Sequence, residues 1–355
     1  MPDTHEDIRR RLFDAAWDVP AYAPAPERTV PRARRRAALT ISGGVAALSA
    51  AAVAIVLAIG SVPSVDGDRT AVDGSGDPRE YLVDVTTGET MVFEGLPREA
   101  WLYDISPDGS QIAFVAAPSG RNQVWIMELD GSGSRQVTHD RLEAIDPDWS
   151  ADGSHIVYAG FGSGTSRGLF VVDVATGESR LVKRLAEDPW NPMWSPDGDR
   201  IVFWSSIAGE GQGDPSVTTT FPTIRSVDVA TKRVRVLAGG GPKGAWDGAW
   251  SRSGRIAFIG ARYDGAGDAY GYGLWTMNGD GSEKKLSFPM AVGDAISPNW
   301  SPDGNKVAYI LSLHGRFFVH VFDFTTGDDR QVAAGEFADW TDDGTLLVQE
   351  FLPEH

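Results

Sequence analysis

From residue 101 to residue 350 the hydrophobic and polar positions repeat as one phrase. An apolar anchor is followed by a short polar turn that ends in Gly, and then by a β-branched and aromatic run. The copies are Ile105-Ser-Pro-Asp-Gly109, Trp149-Ser-Ala-Asp-Gly153, Trp194-Ser-Pro-Asp-Gly198, Trp250-Ser-Arg-Ser-Gly254, Trp300-Ser-Pro-Asp-Gly304 and Trp340-Thr-Asp-Asp-Gly344. Pro presets φ, Asp tolerates the next position and Gly accepts positive φ, so each tetrad predicts a tight reversal between two strands. The runs after it, such as Ile201-Val-Phe-Trp204 and Val307-Ala-Tyr-Ile310, suit a buried strand. The turn glycines stand 44, 45, 56, 50 and 40 residues apart. That is the length of a four-stranded propeller blade.

A second hairpin follows each of the first five phrases, as in Leu169-Phe-Val-Val-Asp-Val-Ala-Thr-Gly177, with a polar outer strand leaving the turn. These hairpins start near Tyr81, Val124, Leu169, Ile224, Leu274 and Phe318. The one at Tyr81 has no anchor phrase before it, and the phrase at Trp340 has no second hairpin after it. Pairing these halves predicts an all-β, six-bladed propeller over residues 81–351, closed by a blade that the two ends of the domain share.

The N-terminal pattern is different. No residue from Ala37 to Val65 is charged, Arg32, Arg34, Arg35 and Arg36 precede the stretch, and Asp66, Asp68 and Asp73 follow it. This predicts one transmembrane signal anchor over 37–60, with the N-terminus cytoplasmic and the propeller outside. A cleaved signal peptide is the weaker alternative, because both the leader and the apolar stretch are too long. Residues 1–36 form a cytoplasmic leader, with a short amphipathic helix after Thr4 suited to the inner leaflet or to a docking partner. Residues 61–80, rich in Ser, Gly, Asp and Pro, form a flexible tether.

The repeated Trp-Ser-Pro-Asp-Gly phrase, followed by runs such as Lys306-Val-Ala-Tyr-Ile310, resembles the WD40-like repeat of TolB-like six-bladed propellers. The resemblance covers about three quarters of the chain and implies the fold and an extracytoplasmic location. Residues 1–80 are too few, and too differently composed, to supply the separate N-terminal α/β domain of TolB. Abundant Ala and Gly, with Arg in excess of Lys, suit a GC-rich genome such as an actinobacterium's.

Charge narrows the partners. The net charge is −17, and residues 1–36 carry eight basic and six acidic groups, so the remainder stands at −19. That argues against nucleic acid or anionic lipid as a partner of the propeller. The chain has no Cys, hence no disulfide framework and no thiol nucleophile. No motif calls for a cofactor, and no spacing matches a metal loop.

Candidate binding residues follow from aligning the blades on their anchors. Three positions upstream stand Leu102, Asp146, Asn191, Asp247, Ser297 and Phe337. Asp146, Asn191, Asp247 and Ser297 are therefore expected to converge on one mouth of the central channel and to bind a cation or polar ligand. Asp104, Asp148 and Asp339, one position before the anchor, add carboxylates. On the same rim Trp101, Trp190 and Trp246 are expected beside two long loops, 205–222 and 260–273. The second loop carries Tyr263, Tyr270 and Tyr272, an aromatic surface for a protein partner.

No catalytic set converges. There is no Gly-x-Ser-x-Gly elbow, and His139, His155, His314 and His320 are scattered between blades as structural histidines. The sequence therefore favours a membrane-anchored binding or scaffold module of the cell envelope, with an unknown envelope protein or polar ligand as partner. An envelope hydrolase or lyase using the channel mouth is the alternative.

Overall fold

The computed structural model describes residues 79–350, apart from short segments at 94–95, 98–99, 140, 163–166, 211–217, 240–243, 264–268, 291–293 and 314. The leader, the apolar stretch and all but the last two residues of the expected tether lie outside the described residues. Among those described, no helix is long and apolar enough to cross a membrane.

The strands fall into six four-stranded antiparallel sheets. The outer half of the shared blade comes first, β1 (Arg79–Asp84) and β2 (Thr90–Phe93). The first complete blade holds β3 (Trp101–Ile105), β4 (Gln111–Ala116), β5 (Gln123–Glu128) and β6 (Arg135–Gln136). The second holds β7 (Glu143–Trp149), β8 (His155–Phe161), β9 (Arg167–Asp173) and β10 (Ser179–Arg184). The third holds β11 (Trp190–Trp194), β12 (Arg200–Glu210), β13 (Thr218–Asp228) and β14 (Val234–Gly239). The fourth holds β15 (Ala245–Trp250), β16 (Arg255–Tyr263), β17 (Ala269–Asn278) and β18 (Lys285–Pro289). The fifth holds β19 (Asp294–Trp300), β20 (Lys306–Leu313), β21 (Arg316–Asp323) and β22 (Asp329–Ala334). Finally β23 (Phe337–Trp340) and β24 (Thr345–Glu350) complete the shared sheet, in the order β2-β1-β24-β23.

That closure matches the expected pairing of halves. Arg79 to Asp84 pairs residue by residue with Glu350 to Thr345, which leaves no open edge inside the ring. Val83, Leu346 and Val348 are fully buried and pack against Ile310 and Val319 of the fifth blade. Gln349 Nε2 donates to Glu80 Oε1 (2.8 Å) and to the Ala100 carbonyl (3.0 Å), tying the seam to the first blade.

The anchor turns have one construction. In the third blade Ser195 Oγ donates to Asp197 Oδ1 (2.5 Å), which also accepts the Asp199 N–H (3.1 Å), while Gly198 sits at φ +72°. Only a residue without Cβ takes that φ cheaply, which accounts for the Gly of the repeat. Asp108, Asp152, Asp303 and Asp343 repeat the arrangement.

One expectation changes. The long insertions at 205–222 and 260–273 were expected as loops, but much of each continues the ladder. Ser205 to Glu210 pairs with Thr223 to Thr218, and Gly260 to Tyr263 pairs with Gly273 to Ala269. The β-branched run Thr218-Thr-Thr220 prolongs pairing. The third and fourth blades thus carry hairpins that run on past the start of their innermost strands.

Candidate functional site

The innermost strands slip register at equivalent places: between Ile145 and Asp148, Trp190 and Met193, Trp246 and Ala249, and Ile296 and Asn299. Inside each slip one residue takes a left-handed backbone: Asp146 (φ +51°), Asn191 (+44°), Asp247 (+49°) and Ser297 (+52°). Asp and Asn tolerate this region better than other side chains do. A bulge of this kind re-aims the side chain it carries. The four expected residues do converge, and together they line a cavity of about 110 Å³ at one mouth of the channel. Tyr103, Met193, Phe337 and the prolines 147, 192 and 298 supply its apolar wall.

Much of this polar chemistry joins blade to blade. Asp146 Oδ2 accepts the Asn191 N–H (2.9 Å), and Asp247 Oδ2 accepts the Ser297 N–H (2.9 Å). Asn191 Nδ2 donates to Asp247 Oδ1 (2.8 Å). One acceptor stays outside this lacing: Asp146 Oδ1 is buried and has no hydrogen-bond partner. Burial pushes the Asp146 carboxyl up to about 7, against the pull of the Asn191 N–H, and the nearby Asp247 adds to the rise. Burial likewise raises Asp247, to about 6, against the bonds from Ser297 and Asn191.

Deeper in the channel lie Asp104, Asp148 and Asp339. Each reaches the next blade's anchor: Asp104 accepts the Trp149 N–H (2.7 Å), Asp148 the Trp194 N–H (2.7 Å) and Asp339 the Ile105 N–H (2.8 Å). Burial raises all three, and Asp104 is raised further by the charges of Asp148 and Asp339. Asp104 and Asp339 also bond to each other in the sense that favours a proton on Asp104. Beyond them the other end of the channel opens into a cavity of about 470 Å³ ringed by Trp149, Trp194, Trp250, Trp300 and Trp340. There the indole N–H groups of Trp300 and Trp340 donate to the preceding blade's carbonyls, at Ala249 (3.2 Å) and Asn299 (3.1 Å). The equivalent N–H groups of Trp149, Trp194 and Trp250 are buried and lack a partner.

The aromatic residues of the rim fare differently from expectation. Trp101, Trp190 and Trp246 are 2%, 4% and 3% exposed and belong to the core. They lie under the rim and offer a partner no surface. Tyr272 is half-buried, edge-on to Trp246 with ring centroids 5.0 Å apart. The side chains of Tyr263 and Tyr270 lie outside the described set. His155 and His320 have local partners, Ser154 at 2.6 Å and Asp329 at 2.9 Å; His314 lies outside the described residues. Among the described residues no group of three His, Cys, Asp or Glu side chains is placed to hold a metal ion.

Sequence reasoning found these carboxylates but not their use as clasps. It also missed the tryptophan-ringed cavity. The signal for that cavity was the anchor itself, because an anchor repeated in a ring must converge on the axis.

Residues 64–212 match the family model described as the TolB β-propeller domain. The fold is a TolB-like six-bladed β-propeller. A TolB homolog of Chlorobium luteolum is 35% identical over 249 residues, which is 70% of this chain and 39% of that protein. An uncharacterized peptidase of Bacillus subtilis is 31% identical over 113 residues, 30% of this chain and 17% of that protein. The chain therefore spans well under half the length of either relative. The solved structure of a putative TolB from Agrobacterium tumefaciens superposes with a TM-score of 0.62 at 18% identity, over 78% of this chain and 99% of that one. At that identity the likeness speaks for the fold alone.

Proposed function

We propose that this chain is a binding module of the cell envelope, held at the membrane by its apolar segment, with the bulged mouth of the channel as its binding face. The observation that carries this reading is the mouth itself. Four consecutive blades hold polar side chains there in a costly left-handed conformation, and one buried carboxylate oxygen is left without a partner. The protruding hairpins of the third and fourth blades stand at the same end, since Trp190 pairs with Trp204 just before that hairpin begins.

Similarity to TolB homologs supports an envelope protein as partner. The peptidase reading has less support, because the match covers a small fraction of that relative and the described residues that line the mouth include no His or Cys. Proximity labelling in the native envelope, followed by capture of the labelled partner with mouth variants, tests the binding face. Changing Tyr263, Tyr270 and Tyr272 together to Ala should weaken capture by more than about 1 kcal/mol. Unchanged capture by these and by Asp146→Ala/Asp247→Ala would count against this face. A reporter fused after His355 tests the location: this reading, from the uncharged stretch behind Arg32–Arg36, expects activity only outside the cytoplasm, and reporter activity inside would overturn it.

A further inference from the structure

The mouth is rich in acceptors and poor in donors. Asp146, Asp247, the Asn191 carbonyl oxygen and the Ser297 hydroxyl oxygen can all accept, while the two side-chain amide donors, Asn191 Nδ2 and Asn299 Nδ2, are already committed to Asp247 and Asp339. A ligand that completes this set must bring donors and positive charge. Asp146 points to the place. It is 5% exposed, and while Oδ2 is held by Asn191, Oδ1 has no partner and is sealed from water. Such a group costs free energy until something donates to it. The terminal torsion of a carboxylate is soft, so a small rotation presents Oδ1 to the cavity that Asp146 already lines.

Two further observations narrow the donor. No trio of His, Cys, Asp or Glu is assembled for a metal among the described residues, which disfavours a divalent cation needing several anionic ligands. Phe337, Tyr103, Met193 and three prolines form an apolar part of the wall, while Asp104, Asp148 and Asn299 line the rest. An aqueous cation would gain nothing from that wall, whereas an alkyl or aryl group would. We infer that the channel mouth takes a primary ammonium carried on an apolar group, with Asp146 as the anionic anchor and the Phe337–Met193 wall covering the apolar part. This inference rests on the mouth being the binding face and adds the class of ligand.

The test is calorimetric titration of the full-length chain with benzylamine and with benzyl alcohol, which has a similar shape but no charge. Benzylamine should bind saturably, and benzyl alcohol at least about tenfold more weakly, the worth of one charge-assisted hydrogen bond. Asp146→Asn keeps an oxygen to accept the Asn191 N–H but loses the charge, and it should weaken benzylamine by about tenfold or more. Asp197→Asn, at the far end of the channel, should leave it unchanged. The inference is overturned if benzylamine shows no saturable binding, if benzyl alcohol binds as well, or if Asp146→Asn binds like the parent. Calcium chloride binding in an Asp146-dependent way while benzylamine does not would replace the ammonium by a metal. The amine comparison on the unaltered chain needs no variant, so a misfolded Asp146→Asn does not decide the outcome. Partner capture that depends on the mouth, combined with failure of the amine, would sink the inference and leave the binding face standing; loss of both would remove the face as well.

Discussion

The two ends of the channel use the same residue, aspartate, in opposite ways. At the turn end Asp108, Asp152, Asp197, Asp303 and Asp343 are held below the usual carboxylate range by the Ser or Thr hydroxyl two residues earlier and by neighbouring N–H groups, with Asp152 down at about 2. At the mouth Asp146 and Asp247 are raised, because burial outweighs the N–H groups that reach them. A carboxylate surrounded by donors is part of the scaffold. Asp104, Asp148 and Asp339 are also buried and raised, but among the described aspartates only Asp146, at the mouth, holds a buried oxygen with no partner, a cost that marks that end for binding.

The largest effect should come from removing the frame that both ends share. Deleting residues 340–355 takes away β24, and β1 then loses its inner ladder, keeping only β2, together with the partners Leu346 and Val348 of Val83. The truncated chain should yield no soluble folded domain. A truncated chain with the parent's cooperative melt would show that the ring does not depend on this closure.

Next in size are single changes at the turn end. Asp197→Ala strips the acceptor from Ser195 Oγ and the Asp199 N–H and should cost about 1 kcal/mol in chemical denaturation. Asp146→Asn at the mouth should cost less at neutral pH, or stabilise. If the mouth change cost more than the turn change at pH 8, the contrast between the ends would fail.

The pH dependence separates the ends further. For the turn aspartates the folded pKa lies below the unfolded value of about 4, so their stabilisation is present above that pH and is lost as pH falls through the depressed values. For Asp146 the folded value, about 7, lies above the unfolded one. The folded state therefore holds the extra proton, and stability falls as pH rises from about 4 to about 7. Melting curves of the parent should show both slopes. In Asp146→Asn the acid-side loss should remain and the fall between about pH 4 and 7 should shrink; an unchanged slope there would contradict the buried-carboxylate account.

The smallest expected effect belongs to the rim. Tyr272→Phe keeps the edge contact with Trp246 and should shift stability by less than about 0.5 kcal/mol. A larger loss would mean that the rim is built as tightly as the turn end.

How legible each end was in the sequence follows from the range of its interactions. The turns are local. Ser195, Asp197 and Gly198 bond within one tetrad, so the repeat exposed them, and the unpaired halves at Tyr81 and Trp340 exposed the closure. The mouth was half legible. Alignment on the anchors picked out Asp146, Asn191, Asp247 and Ser297, because equivalent positions of a ring must converge. Their clasps join residues 45 to 56 apart, and no pattern along the chain shows which oxygen a neighbouring blade will occupy or leave free. Trp101, Trp190 and Trp246 were misplaced as partner surface because an aromatic near a rim suits a contact and a core alike. The paired parts of the long insertions were hidden because their glycines read as loop in the sequence.

Crosslinking from the two ends of the channel in the living envelope tests the central claim most directly. A photoreactive phenylalanine analogue placed at Phe337, in the wall of the mouth, is compared with one at Arg252, exposed at the turn end beside Asp342. The account predicts a specific crosslinked partner from position 337 and none from position 252. A partner captured from position 252 alone would contradict it and make the tryptophan-ringed end the binding face.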